Sequence, residues 1–132
     1  MRIALLCAVV LGALAGTAQA STGFQSPSGN IGCFIGKSGV RCDIRARDWS
    51  PPPKPASCDL DWGQGVAVDK RDRKAYWVCA GDTTLGAGRK LGYGDSIKRG
   101  DIRCRSRRSG MHCRNLRTDH GFALSRDSAR LF

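Results

Sequence analysis

The sequence contains no glutamate: its 11 acidic residues are all aspartates, set against 22 lysines and arginines, for a net charge of +11. Histidine is almost as scarce, with only His112 and His120. There is no Cys-x-x-Cys pair, so the usual signature of structural zinc is missing, and neither a metal nor a cofactor is expected. No serine-nucleophile motif, metal-binding helix or phosphate loop is present. Gly63-Gln-Gly65 and Gly86-Ala-Gly88 are too short to cradle a phosphate specifically. Aromatic residues make up only 7% of the chain. No segment after residue 20 is apolar for long enough to cross a bilayer, so no transmembrane segment is expected in the remainder.

The one long apolar stretch lies at the start. Arg2 supplies a positive charge, residues 3–16 are apolar, and Ala18-Gln19-Ala20 offers small residues at a cleavage site. That order predicts a signal peptide over residues 1–20, cleaved after Ala20, and a single domain over residues 21–132 in a secreted or periplasmic setting. Cys7 sits inside the apolar region and follows Leu6 rather than a small residue, which argues against a lipid anchor. Without Cys7, six cysteines remain: Cys33, Cys42, Cys58, Cys79, Cys104 and Cys113. An even count in an exported chain predicts a disulfide framework.

Six cysteines allow 15 pairings, and a repeat narrows them. Cys33-Phe-Ile-Gly-Lys-Ser-Gly-Val-Arg-Cys42 and Cys104-Arg-Ser-Arg-Arg-Ser-Gly-Met-His-Cys113 share their spacing and a basic-Ser-Gly-apolar-basic-Cys ending. Each reads as a β-hairpin turning at Lys37-Ser38 or Arg108-Ser109, with a glycine just beyond the turn where a left-handed or bulged backbone is useful. Cys33 then faces Cys42, Cys104 faces Cys113, and Cys58 is left for Cys79. The alternative is that the equal spacing is coincidental and the bonds run between hairpins. Each link contributes about 2–4 kcal/mol by restricting the unfolded chain, the short hairpin closures toward the lower end.

Alternation places Ile31, Cys33, Ile35, Val40, Cys42 and Ile44 on one face, and Ile102, Cys104, Met111 and Cys113 on the corresponding face of the second hairpin. Arg103, Arg105, His112 and Arg114 occupy the opposite face, with Arg103 across from Arg114 and Arg105 across from His112. Like charges directly across a strand pair are destabilising, and an anion or a carboxylate would relieve them. Residues 65–68 and 75–79 read as two further strands around a charged turn, residues 90–93 and 121–124 as weaker ones, and residues 125–130 as a short turn of helix. Pro51, Pro52, Pro53 and Pro55 make an extended surface spacer. Glycine, at 17 residues, is roughly twice its usual share and favours tight turns. The fold class is therefore mainly β: a small disulfide-stapled antiparallel sheet forming a meander, sandwich or partial barrel.

Charge carries the strongest functional signal. Residues 89–117 hold ten basic side chains against Asp95 and Asp101. So lopsided a field favours an anionic polysaccharide, a nucleic acid or an anionic membrane surface as partner, while serving solubility as its plainer role. The only aromatic residue in that stretch is Tyr93, so contact with phosphate or carboxylate groups is easier to support than base stacking. Arg103, Arg105, Arg107, Arg108 and Arg114, together with Lys98 and Arg99, form the expected anion-binding set of a non-enzymatic, monomeric domain.

Two other classes compete. His112 and His120 could serve as base and acid in a small phosphodiesterase or ribonuclease-like enzyme. A rigid disulfide-bounded loop could make the chain a protein inhibitor, with the proline segment as its one candidate loop. Asp59 and Asp61, flanking Leu60, lack the further oxygen ligands of a calcium loop and read as a solvated turn.

The segments Phe24-Gln-Ser-Pro-Ser-Gly-Asn-Ile-Gly-Cys33, Val40-Arg-Cys-Asp-Ile44, Trp62-Gly-Gln-Gly65, Val78-Cys-Ala-Gly-Asp82 and Gly121-Phe-Ala-Leu-Ser-Arg126 together resemble a family of small exported cysteine-rich bacterial proteins with a domain of unknown function. The likeness covers nearly the whole chain after residue 20. It implies a bacterial envelope or extracellular setting and transfers no catalytic or binding residue.

Overall fold

A computed structural model describes residue 12 and residues 21–132. The expected signal peptide, its cleavage site after Ala20 and Cys7 lie outside the described residues. Eleven strands and no helix are found among them: β1 (Thr22–Gln25), β2 (Ile31–Gly36), β3 (Gly39–Ile44), β4 (Trp62–Asp69), β5 (Tyr76–Cys79), β6 (Arg89–Lys90), β7 (Ser96–Arg99), β8 (Ile102–Arg107), β9 (Gly110–Asn115), β10 (Gly121–Leu124) and β11 (Ala129–Leu131). They form a six-stranded sheet in the order β5-β4-β3-β2-β1-β6 and a five-stranded sheet in the order β11-β10-β9-β8-β7. All pairs are antiparallel except β1 with β6. Strands β1 to β5 and β7 to β11 are thus two meanders of the same order, and each carries a cystine across its second hairpin.

The expected pairings hold. Cys33 is bonded to Cys42, Cys58 to Cys79 and Cys104 to Cys113. The hairpins turn where Gly36 meets Gly39 and where Arg107 meets Gly110, so Lys37-Ser38 and Arg108-Ser109 are the turn residues. Gly110 adopts φ 130°, and a Cβ there would strike the Leu124 carbonyl on β10, so the turn and the neighbouring strand both require glycine.

Both sheets turn their cystines inward. Cys33, Cys42, Cys104 and Cys113 are at most 1% exposed, and Sγ of Cys42 lies 4.0 Å from Sγ of Cys113. The two hairpin cystines therefore meet back to back in the middle of a sandwich. Around them pack Phe24, Ile35, Val66 and Val68 from the first sheet, and Ile102, Met111, Phe122 and Leu124 from the second. Each such side chain contributes roughly 1.5–3 kcal/mol on burial. Trp49 closes one side: its ring packs 5.4 Å from that of Trp77, and its indole N–H donates to the carbonyl of Ser125.

The segment from Ser26 to Asn30 is a structural device. The Ser26 Oγ accepts from the Ile31 N–H, the Ser28 Oγ accepts from the Asn30 N–H, and the Asn30 side-chain amide bonds both backbone groups of Ala46. It ties the β1–β2 turn to the chain leaving β3.

Some expectations fail. Residues 125–130 form no helical turn: Ser125 and Ser128 bond each other in a tight bend, and Ala129–Leu131 continues as β11 against β10. The alternation of Ala129, Arg130 and Leu131 has the period of a strand, and pairing with Phe122 and Leu124 decides the outcome over local propensity. The strand expected at residues 90–93 is only Arg89–Lys90, with Leu91 turning into the core. Strands β1 and β7 emerge unforeseen, each too short to show a clear period.

Candidate functional site

Residues opposite one another on adjacent strands share a face of the sheet. In the second sheet, Ile97, Cys104, Met111, Cys113, Phe122 and Leu124 face the core. The intervening residues face outward in two cross-strand rows. Lys98, Arg103 and Arg114 make one, and Ser96, Arg105, His112, Ala123 and Arg130 make the other. Arg107 extends the outward face at the end of β8. The expected oppositions of Arg103 with Arg114 and of Arg105 with His112 are both present. Rows lie roughly 7 Å apart along a strand and neighbours roughly 4.8 Å apart across strands, so the face carries a close lattice of positive charge.

Few of these charges are compensated. Among the described residues, Asp119 is the sole carboxylate within 4.0 Å of a cation on this face, and its Oδ1 stands 3.9 Å from Nε of Arg114 with both side chains exposed. Among the described residues, Arg105 donates only to the hydroxyl of Ser96. The guanidinium of Arg130 lies over the Phe132 ring, 5.1 Å from its centre. His112 is half-buried and 3.0 Å from the Ser109 hydroxyl. Its burial, followed by the positive fields of Arg107 and Arg130, lowers its pKa below the usual histidine value, which makes the neutral imidazole the resting form at neutral pH.

Four of the expected arginines converge. Arg103, Arg105, Arg107 and Arg114 line one depression of about 220 Å³, together with His112 and Arg130 and beside the Phe132 ring. Lys98 stays on the same face at the β7 edge. Arg99 is in register with the core residue Ile102 and reaches Thr22 on the first sheet, 3.4 Å away. Arg108, in the turn, lies over the Tyr93 ring. The structure thus gathers five of the seven residues on one face and sends two elsewhere. Arg130 joins them unforeseen, because β11 reads as helical from local sequence; the apolar-charged-apolar alternation of residues 129–131 is the signal that marks it.

The two histidines are not brought together. His112 lies opposite Ala123, whereas the carbonyl of His120 accepts from the Asn115 N–H three residues further along β9, roughly 10 Å away. His120 bonds Asp72 at 3.1 Å and His112 bonds Ser109, and His120 does not line the depression beside His112. The proline segment is held at its start, where the Trp62 indole N–H donates to the Pro52 carbonyl and Pro51 packs over Gly63, while Pro52, Pro53 and Lys54 are exposed. Asp59 and Asp61 are exposed beside Cys58.

The outer face of the first sheet is different in kind. Asp43 is fully buried there, held in a fork by Arg41 at 3.0 and 2.8 Å and accepting the Thr84 N–H, while Arg41 also reaches Asp82 at 2.8 Å. The Arg41 pKa is raised because these carboxylate bonds outweigh the desolvation that opposes them. A Cβ at Gly65 would collide with the Asp43 carboxylate, and one at Gly32 with the Thr84 carbonyl, so glycines on both neighbouring strands make room for the pair and its covering loop. Nearby, burial of Asp69 favours its neutral form, but the side chains of Arg71 and Arg73 overcome this and hold its pKa at about 2. A shallow groove of about 600 Å³ runs across this face, lined by Phe34, Arg41, Tyr76 and Asp82 among others.

Fold and site together define a disulfide-stapled two-sheet β domain with one cationic outer face. The chain belongs to a family of unknown function (DUF6636), whose model matches residues 3–132. No curated protein and no solved structure matches it. The three disulfides fit a secreted or periplasmic protein. No described helix is long and apolar enough to cross a membrane.

Proposed function

We propose that the protein is exported, loses residues 1–20, and acts as a non-enzymatic domain that binds an anionic polymer through the outer face of its second sheet. The carrying observation is the lattice of Lys98, Arg103, Arg105, Arg107, Arg114 and Arg130, which meets a single distant carboxylate among the described residues. Such a lattice costs stability when empty, and a line of negative charges laid along β8 and β9 removes that cost. Among the described residues the face presents one aromatic ring, that of Phe132, and no row of rings on which successive bases could stack. Nor does it present the apolar residues that would enter a bilayer. An acidic polysaccharide-like chain suits it better than a nucleic acid or a membrane.

Retention of the oxidised protein on an immobilised sulfated polysaccharide, eluted by salt, tests this reading. The variant R103Q/R105Q/R107Q/R114Q should elute at much lower salt. The charge-matched variant R45Q/K54Q/K70Q/K74Q should elute near wild type, because its substitutions lie off the face. Equal losses in both variants would reduce the effect to net charge and refute a binding face.

A further inference from the structure

The cations of the face are not spread evenly: five arginines surround one depression, with the His112 imidazole among them, and these residues arrive from three different strands. Arg103, Arg105 and Arg107 come from β8, His112 and Arg114 from β9, and Arg130 from β11. A carboxylate has two oxygens in one plane, and in this same molecule one guanidinium fork and one backbone N–H meet that of Asp43. Donors converging from three strands suit an anion whose oxygens point in several directions. At about 220 Å³ the depression has room for such a group and part of the unit that bears it. The Phe132 ring, beside Arg130, supplies an apolar wall for that unit.

We infer that this depression is a subsite for a tetrahedral oxyanion, a sulfate or phosphate ester carried on the polymer, and that it discriminates against polymers charged only by carboxylates. This rests on the polyanion-binding reading above and adds to it a chemical preference and a location. Arg105 and Arg130 are the specificity-determining pair: they lie in one cross-strand row with His112 and Ala123 between them, both line the depression, and neither meets a carboxylate within 4.0 Å among the described residues. Lys98, at the β7 edge, and Arg99, turned toward Thr22, lie outside the depression and act only through general attraction.

The test compares dextran sulfate, polyphosphate and polygalacturonate, matched in chain length and charge, on three forms of the oxidised protein: wild type, R105Q/R130Q and K98Q/R99Q. Wild type should bind the first two polymers more tightly than polygalacturonate, by about tenfold or more. R105Q/R130Q should lose that preference, and K98Q/R99Q should keep it although it has lost the same charge. The tighter of the two oxyanion polymers identifies the source as sulfate or phosphate. The NMR signals of His112 serve as a local reporter and should shift with dextran sulfate or polyphosphate in wild type. Binding of all three polymers with equal strength, or equal effects of the two double variants, would overturn the subsite and leave the polyanion-binding face standing. Binding of none would overturn both.

Discussion

On the outer face of the first sheet, Arg41, Arg71 and Arg73 each meet a carboxylate at 2.6–2.8 Å. On the outer face of the second, Arg103, Arg105, Arg107 and Arg130 meet none within 4.0 Å, and Arg114 meets one at 3.9 Å among the described residues. The two sheets share strand order, hairpin length and the placement of a cystine, so the backbone plan does not explain the difference. In the first sheet, charge is part of the architecture: a buried aspartate is flanked by glycines and locked by an arginine. In the second, charge is left outside the architecture. Stabilising ion pairs and binding charges place opposite demands on an arginine, and on the proposed reading this molecule separates them onto two faces.

The contrast breaks most visibly at Arg41. Arg41→Gln leaves the buried Asp43 carboxylate without its fork and should lower stability by about 3 kcal/mol in denaturant unfolding. If Arg41→Gln unfolds at the wild-type midpoint, the first-sheet charges are not structural. Next come the cystines. Replacing Cys33 and Cys42 by alanine, or Cys104 and Cys113, should cost about 2–3 kcal/mol each. Because the two bonds touch at 4.0 Å, removing all four cysteines should depart from the sum of the separate losses, whereas removing Cys58 and Cys79 together with either hairpin pair should come closer to additive. Additivity between the hairpin cystines would show that their contact does not couple the sheets.

Smaller effects have the opposite sign. Arg103→Gln or Arg114→Gln removes one of two facing cations and should raise stability by a few tenths of a kcal/mol at low salt, with the gain vanishing at high salt. A loss at low salt would mean that these arginines hold the fold. The smallest effect concerns acid. His112 has a folded pKa below its unfolded value, so the unfolded chain binds more protons; the related stability is present above pH 6.5 and declines as pH falls through and below that value. Asp69 is also depressed, to about 2, so its contribution persists down to about pH 4 and is lost as pH falls toward 2. Mild acid should therefore weaken the second sheet before the ion pairs of the first, and Arg107→Gln should move the His112 titration upward in an NMR experiment.

Much of this was legible from residue order. The eight-residue spacing between cysteines, together with serine and glycine at the turns, pointed to both hairpins, their register and their two cystines, because a period of two and a two-residue turn leave little freedom, and Cys58 with Cys79 followed only as the remaining pair. The outward positions of Arg103, Arg105 and Arg114 followed from the same register. Arg130 was missed because the alternation of residues 129–131, though present, is too short to outweigh a helical reading without the pairing to β10. The displacement of Arg99 and Arg108 from the face was equally hidden: a residue at a strand end or in a turn takes its direction from tertiary contacts, here Thr22 and Tyr93. Of the Asp43 cluster only Arg41, two residues away on the same strand face, is local; Gly32, Gly65 and Thr84 come from three separate segments, so its burial gave no local signal.

The account as a whole meets its most direct test in one thermal unfolding series at low salt, comparing wild type with R103Q/R105Q/R114Q, each with and without dextran sulfate. Two effects should cross: without the polymer the variant should melt above wild type, because facing cations have been removed, and with it wild type should rise past the variant, because a ligand that binds the folded state stabilises it. If the variant melts lower without polymer, or if dextran sulfate raises both proteins equally, the second sheet does not keep its charges for a polyanion.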